Sequence, residues 1–355
     1  MLDRRNFLAG VSATAALSAT GANAKGTPKG SLIFDAMGEL RTTYDVALLN
    51  EIRASGLNAI TVTLTDPKVF EEQAYEEGKA AVVEHDEYIA KHPDLLIKAT
   101  KTADLDRAMR ENKIAVYYLF QTSTQFGRDI NRVQEFYDAG VRSSQLTYNY
   151  QNWAGAGCKE LRGSGVTEFG RKLINKMNEV GMLIDLSHAN EKTMLDAIEM
   201  SSKPIVISHT CCQAVYPNIR NTSDKVLKAM AAKGGVVGIC QMRPFLTDKR
   251  PDVALPAYFD HIDHAVNTIG VEHVAIGSDR DHRVITMTDE YIAELAAEEG
   301  DNFHIEDWPL FIDALNGPRR MEVIWDGLKK RKYSHSDIEK IMGTNLKRLY
   351  KETIG

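Results

Sequence analysis

The stretch MLIDLSHANEKTMLDAIEMSSKPIVISHT, residues 182–210, decides the fold. MLIDLSH and PIVISHT are short apolar runs with β-branched residues, as strands buried on both faces are, and EKTMLDAIEMS between them is an amphipathic helical segment. Strand, helix and strand in immediate succession describe a parallel pair joined by a crossover. Each strand closes on a histidine, His188 and His209, so two imidazoles lie at the same end of neighbouring strands.

The same unit recurs in both directions. SLIFDA, NAITVTLT, IAVYYLF and SSQLTYN precede the stretch, and GVVGICQM and HVAIGSD follow it, for eight predicted strands in all. Helical segments such as YDVALLNEIRAS, TEFGRKLINKMNEVG and AYFDHIDHAVNTIG lie between them, several closing on the glycine expected past a helix end. Eightfold alternation with doubly buried strands predicts a (β/α)₈ TIM barrel. A doubly wound open sheet would need a glycine-rich phosphate loop after an early strand, and the sequence has none.

Catalytic groups of such barrels sit where strands end. Those ends carry Asp35, Met37 and Glu39, then Gln121, Tyr148 with Asn149, His188, His209, Gln241 with Arg243, and Asp279. Imidazole and carboxylate converging on one point suit a zinc ion with an open position for water. A histidine after a strand serves equally as a cap or core residue, and His261, His264, His273, His282, His304 and His335 read that way. Asp35 reads as structural.

With 43% hydrophobic and 26% charged residues the chain has the composition of a globular enzyme or binding protein. No apolar run past the N-terminus is long enough for a membrane span. A formal charge of −6 argues against nucleic-acid binding. Residues 1–24 combine Arg4-Arg5, a weakly apolar run and the small-residue pattern Ala22-Asn23-Ala24. That segment reads as a twin-arginine export signal, leaving residues 25–355 as a single barrel domain in a periplasm or outside the cell. Cys158, Cys211, Cys212 and Cys240 show no metal-binding spacing and read as unpaired thiols, with a bridge from Cys158 to Cys211 or Cys212 as the alternative.

At LTYNYQNWAGAGC, GVTEFGRKLINKMNEVGMLIDLSHAN, KPIVISHTCCQAVYPNIRNTSDKVLKAMAAKGGVVGI, HVAIGSDRDH and IEKIMGTNLKRLY the sequence resembles the membrane (renal) dipeptidase family, the M19 metallopeptidases of the amidohydrolase type. The resemblance implies a two-zinc site at the barrel top and hydrolysis of dipeptides. It puts His188 and His209 at the positions of the second-metal histidines and Asp279 at that of the strand-eight aspartate. Arg220 falls where an arginine grips the substrate carboxylate, and Tyr148 where a His or Tyr faces the oxyanion. The family's His-x-Asp pair falls on Met37 and Glu39, and its bridging glutamate on Gln121. A thioether is a poor zinc ligand, and a neutral amide supplies no charge to offset two dications. At 3.5 Å and an effective dielectric of 20 these repel by about 19 kcal/mol. The loop Gly155-Ala156-Gly157 also lacks the acidic residue that many bacterial relatives carry there.

The expected site is therefore one zinc ion rather than two, held by His188 and His209 with Asp279, Gln121 or Glu39. Asp279 is then the proton acceptor, Tyr148 the oxyanion donor and substrate contact, and Arg220 the carboxylate anchor. Dipeptide or small-amide hydrolysis is the first reading; another small-molecule reaction on the same scaffold and a metal-free binding protein stay open beside it. The acidic segment 281–318 reads as a lid or an oligomer contact, and the resemblance implies a homodimer as one assembly open to the chain.

Overall fold

The computed structural model describes residues 27–28, 30–248, 253–299, 305 and 308–355. The expected export signal and His304 lie outside the described residues. Nine strands follow one another along the chain: β1 (Phe34–Gly38), β2 (Ala59–Thr63), β3 (Leu96–Lys98), β4 (Ile114–Phe120), β5 (Val141–Gln145), β6 (Leu183–Asp185), β7 (Val206–Thr210), β8 (Val236–Ile239) and β9 (Val274–Ile276). Neighbours pair in parallel in the order β2-β1-β9-β8-β7-β6-β5-β4-β3, and a direct β2–β4 pairing closes the ring. The eight predicted strands are thus the barrel.

The strand that the sequence reading did not anticipate, β3, stands outside that ring. One edge of β4 runs along β2 for its whole register, Ala59↔Ala115 to Thr63↔Leu119. The other edge is divided: its first residues pair with β3 (Leu96↔Ile114) and its last with β5 (Phe120↔Ser144). A three-residue strand gives no periodicity to read.

Apolar residues fill two regions. One lies between barrel and helices, where Ile60, Val116, Ile184, Ile207 and Val237 meet Leu49, Leu173, Ile198, Leu227 and Ile262. The other is the barrel floor, plugged from below by the helix Asn345–Thr353. There the Tyr350 ring stands 4.9 Å from Phe34 and 4.8 Å from Tyr117, and its hydroxyl shares a 2.6 Å hydrogen bond with Thr61 Oγ1. The closed floor leaves the C-terminal strand ends as the reactive face.

Three local features shape that face. The β7–β8 ladder shifts register between Ile207 and Thr210, and Ser208 and His209 sit on this irregularity. Gly238 and Gly277 pass the displaced backbone: a Cβ on either would lie 2.0 or 1.8 Å from the Ser208 carbonyl oxygen. His188 and Asp279 occupy the left-handed region, at φ 67° and 55°, which side chains other than glycine adopt at a cost of about 1–2 kcal/mol. The backbone holds both strained where a site is expected.

Candidate active site

His188 and His209 converge. Their Nε2 atoms are 3.1 Å apart, and both side chains are buried. Each ring is held by its other nitrogen: His188 Nδ1 donates to Asn149 Oδ1 at 2.7 Å, and His209 Nδ1 to Ser208 Oγ at 2.8 Å. The Ser208 hydroxyl spends its own proton on Asp185 Oδ2, 2.5 Å away, so it can only accept from the imidazole. Asp185 is fixed in turn by the Ser187 and Ser208 amides at 2.9 and 3.0 Å and by the Ser187 hydroxyl at 2.9 Å.

With both Nδ1 atoms donating, both Nε2 atoms carry lone pairs, and they point at each other. Burial first, and then the Arg220 guanidinium, push both imidazoles well below the usual histidine range, so neither relieves the clash by taking a proton at neutral pH. A cation does. Two zinc–nitrogen bonds of about 2.05 Å at a tetrahedral angle span about 3.3 Å, close to the observed gap. The two imidazoles fit one ion.

The opposite wall is arranged differently. Gln121 Nε2 donates to Met37 Sδ at 3.6 Å, a weak bond that brings the two side chains together. Glu39 forms an ion pair with Arg41, whose Nε also reaches Asp281 Oδ2 at 2.9 Å. Among the described residues no three His, Cys, Asp or Glu side chains gather as a metal-binding group. Of the two residues expected in the metal shell here, Glu39 is held by Arg41, while the Met37 contact engages only the amide nitrogen of Gln121 and not the oxygen that would meet an ion.

Asp279 lies beyond the histidines on the loop after β9. Its amide donates to the Met37 carbonyl at 2.9 Å, and the Cys240 thiol approaches its Oδ2 at 3.8 Å. Burial raises its pKa to about 7, against the lowering effect of Arg220 and then Arg280. Asp35, the strand-end residue read as structural, accepts from the Ser278 and Met37 amides at 2.8 and 3.3 Å and ties β1 to that loop.

Arg220 is buried, and only its Nη2 is occupied, by the His209 carbonyl at 2.9 Å. Among the described residues its Nε and Nη1 have no partner, leaving two charge-assisted donors open. Tyr148 lies over His188, ring centroids 4.2 Å apart and planes tilted by 32°. The structure thus brings the strand-end residues His188, His209, Asp279 and Tyr148 together with Arg220, the residue the resemblance added, and of the groups that hold the imidazoles only Asn149 was among the strand-end residues. Asp185 and Ser208 are legible only as polar neighbours of the two histidines, in the motifs DLSH and ISH.

Residues away from the mouth fall as expected. His261 accepts from the Cys212 amide and donates to the Leu246 carbonyl, and His264 meets Asp224. All four cysteines are free and buried. No helix among the described residues is long and apolar enough to cross a membrane.

Residues 33–290 match the model of a known family, described as membrane dipeptidase, peptidase family M19. Over 264 residues the chain is 28% identical to dipeptidase tcpJ of Claviceps purpurea, a match covering 74% of this chain and 56% of that protein, so it spans little more than half of the relative's length. An amidohydrolase from Pseudomonas aeruginosa superposes with a TM-score of 0.77 at 27% identity, covering 92% of this chain and 97% of its own. A metallopeptidase from Rhodobacter sphaeroides, solved with a phosphinate mimic of L-Ala-D-Ala, shares the fold with a TM-score of 0.75 at 18% identity, covering 91% and 99%.

Proposed function

Since the chain belongs to the membrane dipeptidase family, peptidase family M19, we propose that it is a metal-dependent hydrolase of dipeptides or similar small amides, with one zinc ion on His188 and His209. The observation that carries this reading is the pair of Nε2 lone pairs 3.1 Å apart beside a buried arginine with two unspent donors. When bound, the ion supplies Lewis-acid chemistry, polarising an amide carbonyl and acidifying water. Arg220 takes the substrate carboxylate on Nε and Nη1 and so fixes which amide faces the histidines. Asp279, with a pKa of about 7, accepts a proton near neutrality and returns it to the departing amine. Tyr148, stacked on His188, is positioned to donate to the developing oxyanion.

The reading of one ion rather than two is supported by a thioether at Met37, an amide at Gln121 and a Glu39 paired with Arg41, which put no unpaired carboxylate at those three positions. The same wall favours the second reading, a different small-molecule reaction on the shared scaffold. Arg4-Arg5 and Ala22-Asn23-Ala24 support export to the periplasm or beyond.

The deciding measurement is the metal content of purified protein by elemental analysis, beside a His188→Ala variant, with turnover of a dipeptide panel. We expect about one ion per chain, its loss in the variant, and turnover abolished by chelation. An ion without dipeptide turnover selects the second reading. Absence of an ion after zinc is supplied rejects both.

A further inference from the structure

The mouth holds a second arginine that the reaction above does not use. Arg280 follows Asp279 directly and is 9% exposed. Its hydrogen bond among the described residues runs from Nη1 to the Met242 thioether at 3.3 Å, and its guanidinium lies 5.8 Å from the centre of the Phe311 ring. No ion pair joins it to a carboxylate among the described residues. Sulfur is a weak acceptor, so this cation has given up water on most sides without gaining an oxygen in return.

Its surroundings do not neutralise it. Asp279 is the nearby carboxyl, but among the described residues no hydrogen bond or ion pair joins it to either arginine; its Oδ2 meets the Cys240 thiol at 3.8 Å. Glu39 is taken by Arg41, and Asp281 by Arg41 and Arg283. Arg220 stands on the loop after β7, anchored at His209, and Arg280 on the loop after β9, anchored at Met242 just past β8. Two under-partnered guanidinium groups therefore flank one carboxyl from different loops, and neither is hydrogen-bonded to it. A single carboxylate satisfies one of them and leaves the other.

We propose that the site selects doubly anionic substrates, dipeptides with an acidic side chain beside the terminal carboxylate, one carboxylate on Arg220 and the other on Arg280. This rests on the hydrolase reading for the identity of the scissile bond, though the two under-partnered guanidinium groups stand without it. Arg280 is a specificity determinant: buried donors built to meet an acid reject the isosteric amide.

The test compares Ala-Asp with Ala-Asn and Ala-Glu with Ala-Gln, each in both configurations of the second residue, on zinc-loaded full-length protein. Wild type should prefer the acidic member by about 10-fold or more in kcat/KM. Arg280→Met, which keeps an apolar stem between Met242 and Phe311, should bring that ratio to about one, and Arg280→Lys should keep part of it. Thermal melts of both variants establish that they fold; if either fails, Arg280→Gln replaces it. A wild-type ratio near one, or a ratio unchanged in Arg280→Met, overturns the proposal. If none of the dipeptides turns over, the hydrolase reading falls instead, and calorimetric binding of glutarate against butyrate decides. Tighter glutarate binding by about 10-fold that is lost in Arg280→Met sustains the second carboxylate site, and equal binding rejects it.

Discussion

What each imidazole does with its outer nitrogen determines what its inner one can bind. The chain His209 Nδ1 to Ser208 Oγ to Asp185 places a full carboxylate at the end of a two-bond relay, while His188 leans on the neutral Asn149 amide. Such outer partners fix the tautomer and raise ligand basicity, and their loss commonly lowers metal affinity by about 10–100-fold. Ser208→Ala should therefore weaken zinc binding by about that factor, read by competition with a chromophoric chelator. In the metal-free protein, ¹⁵N NMR should show His209 losing its single tautomer while His188 keeps its own. Unchanged affinity together with an unchanged tautomer would mean that the ring is held by packing alone.

At the scale of elements, the bulge in β7 aims His209, and glycines on the next two strands make room for it. Gly277→Ala places a methyl 1.8 Å from the Ser208 carbonyl, which only a backbone shift relieves. Overpacking of this kind costs about 1–3 kcal/mol, and urea denaturation should show it together with weakened zinc binding, since the strand that moves carries His209, a ligand of the proposed ion. A stability loss with unchanged zinc affinity would separate the bulge from the site. Long apolar strands such as IAVYYLF were legible because their burial is written in their own residues. The fourth predicted strand was displaced: β5 begins at Val141 and ends at Gln145, so Tyr148 and Asn149 lie on a loop that turns onto His188. The strand-end rule found His188, His209 and Asp279 because the barrel delivers such positions to one face. It was silent on Arg41 reaching Asp281 and on Arg280 settling beside Met242 and Phe311, since those contacts join segments that meet only in the folded barrel.

For the whole molecule, one neutral histidine binds three parts of the wall together. His261, on the helix Ala254–Ile269, accepts the Cys212 amide at 2.9 Å on Nδ1 and donates to the Leu246 carbonyl through Nε2 at 3.2 Å. Helix, β7 loop and the turn after β8 thus share a single ring that must keep one lone pair. Burial lowers its pKa from 6.5 to about 4. As pH falls through 6.5 the unfolded chain takes up a proton and the folded chain does not, so stability is complete above 6.5 and is lost progressively as pH drops toward 4. The full shift corresponds to about 3 kcal/mol. Asp35 acts in the opposite sense: burial raises its carboxyl to about 6, so the folded chain protonates first and gains stability as pH falls toward 3.8. His261→Gln removes the slope that this ring contributes. The stability difference between wild type and this variant, from urea unfolding, should be smaller at pH 4.5 than at pH 7.5 by about 2–3 kcal/mol. A difference that does not change with pH would show that the ring is tied to the wall equally well with its second proton on, and that the acid sensitivity of the fold lies with its carboxylates.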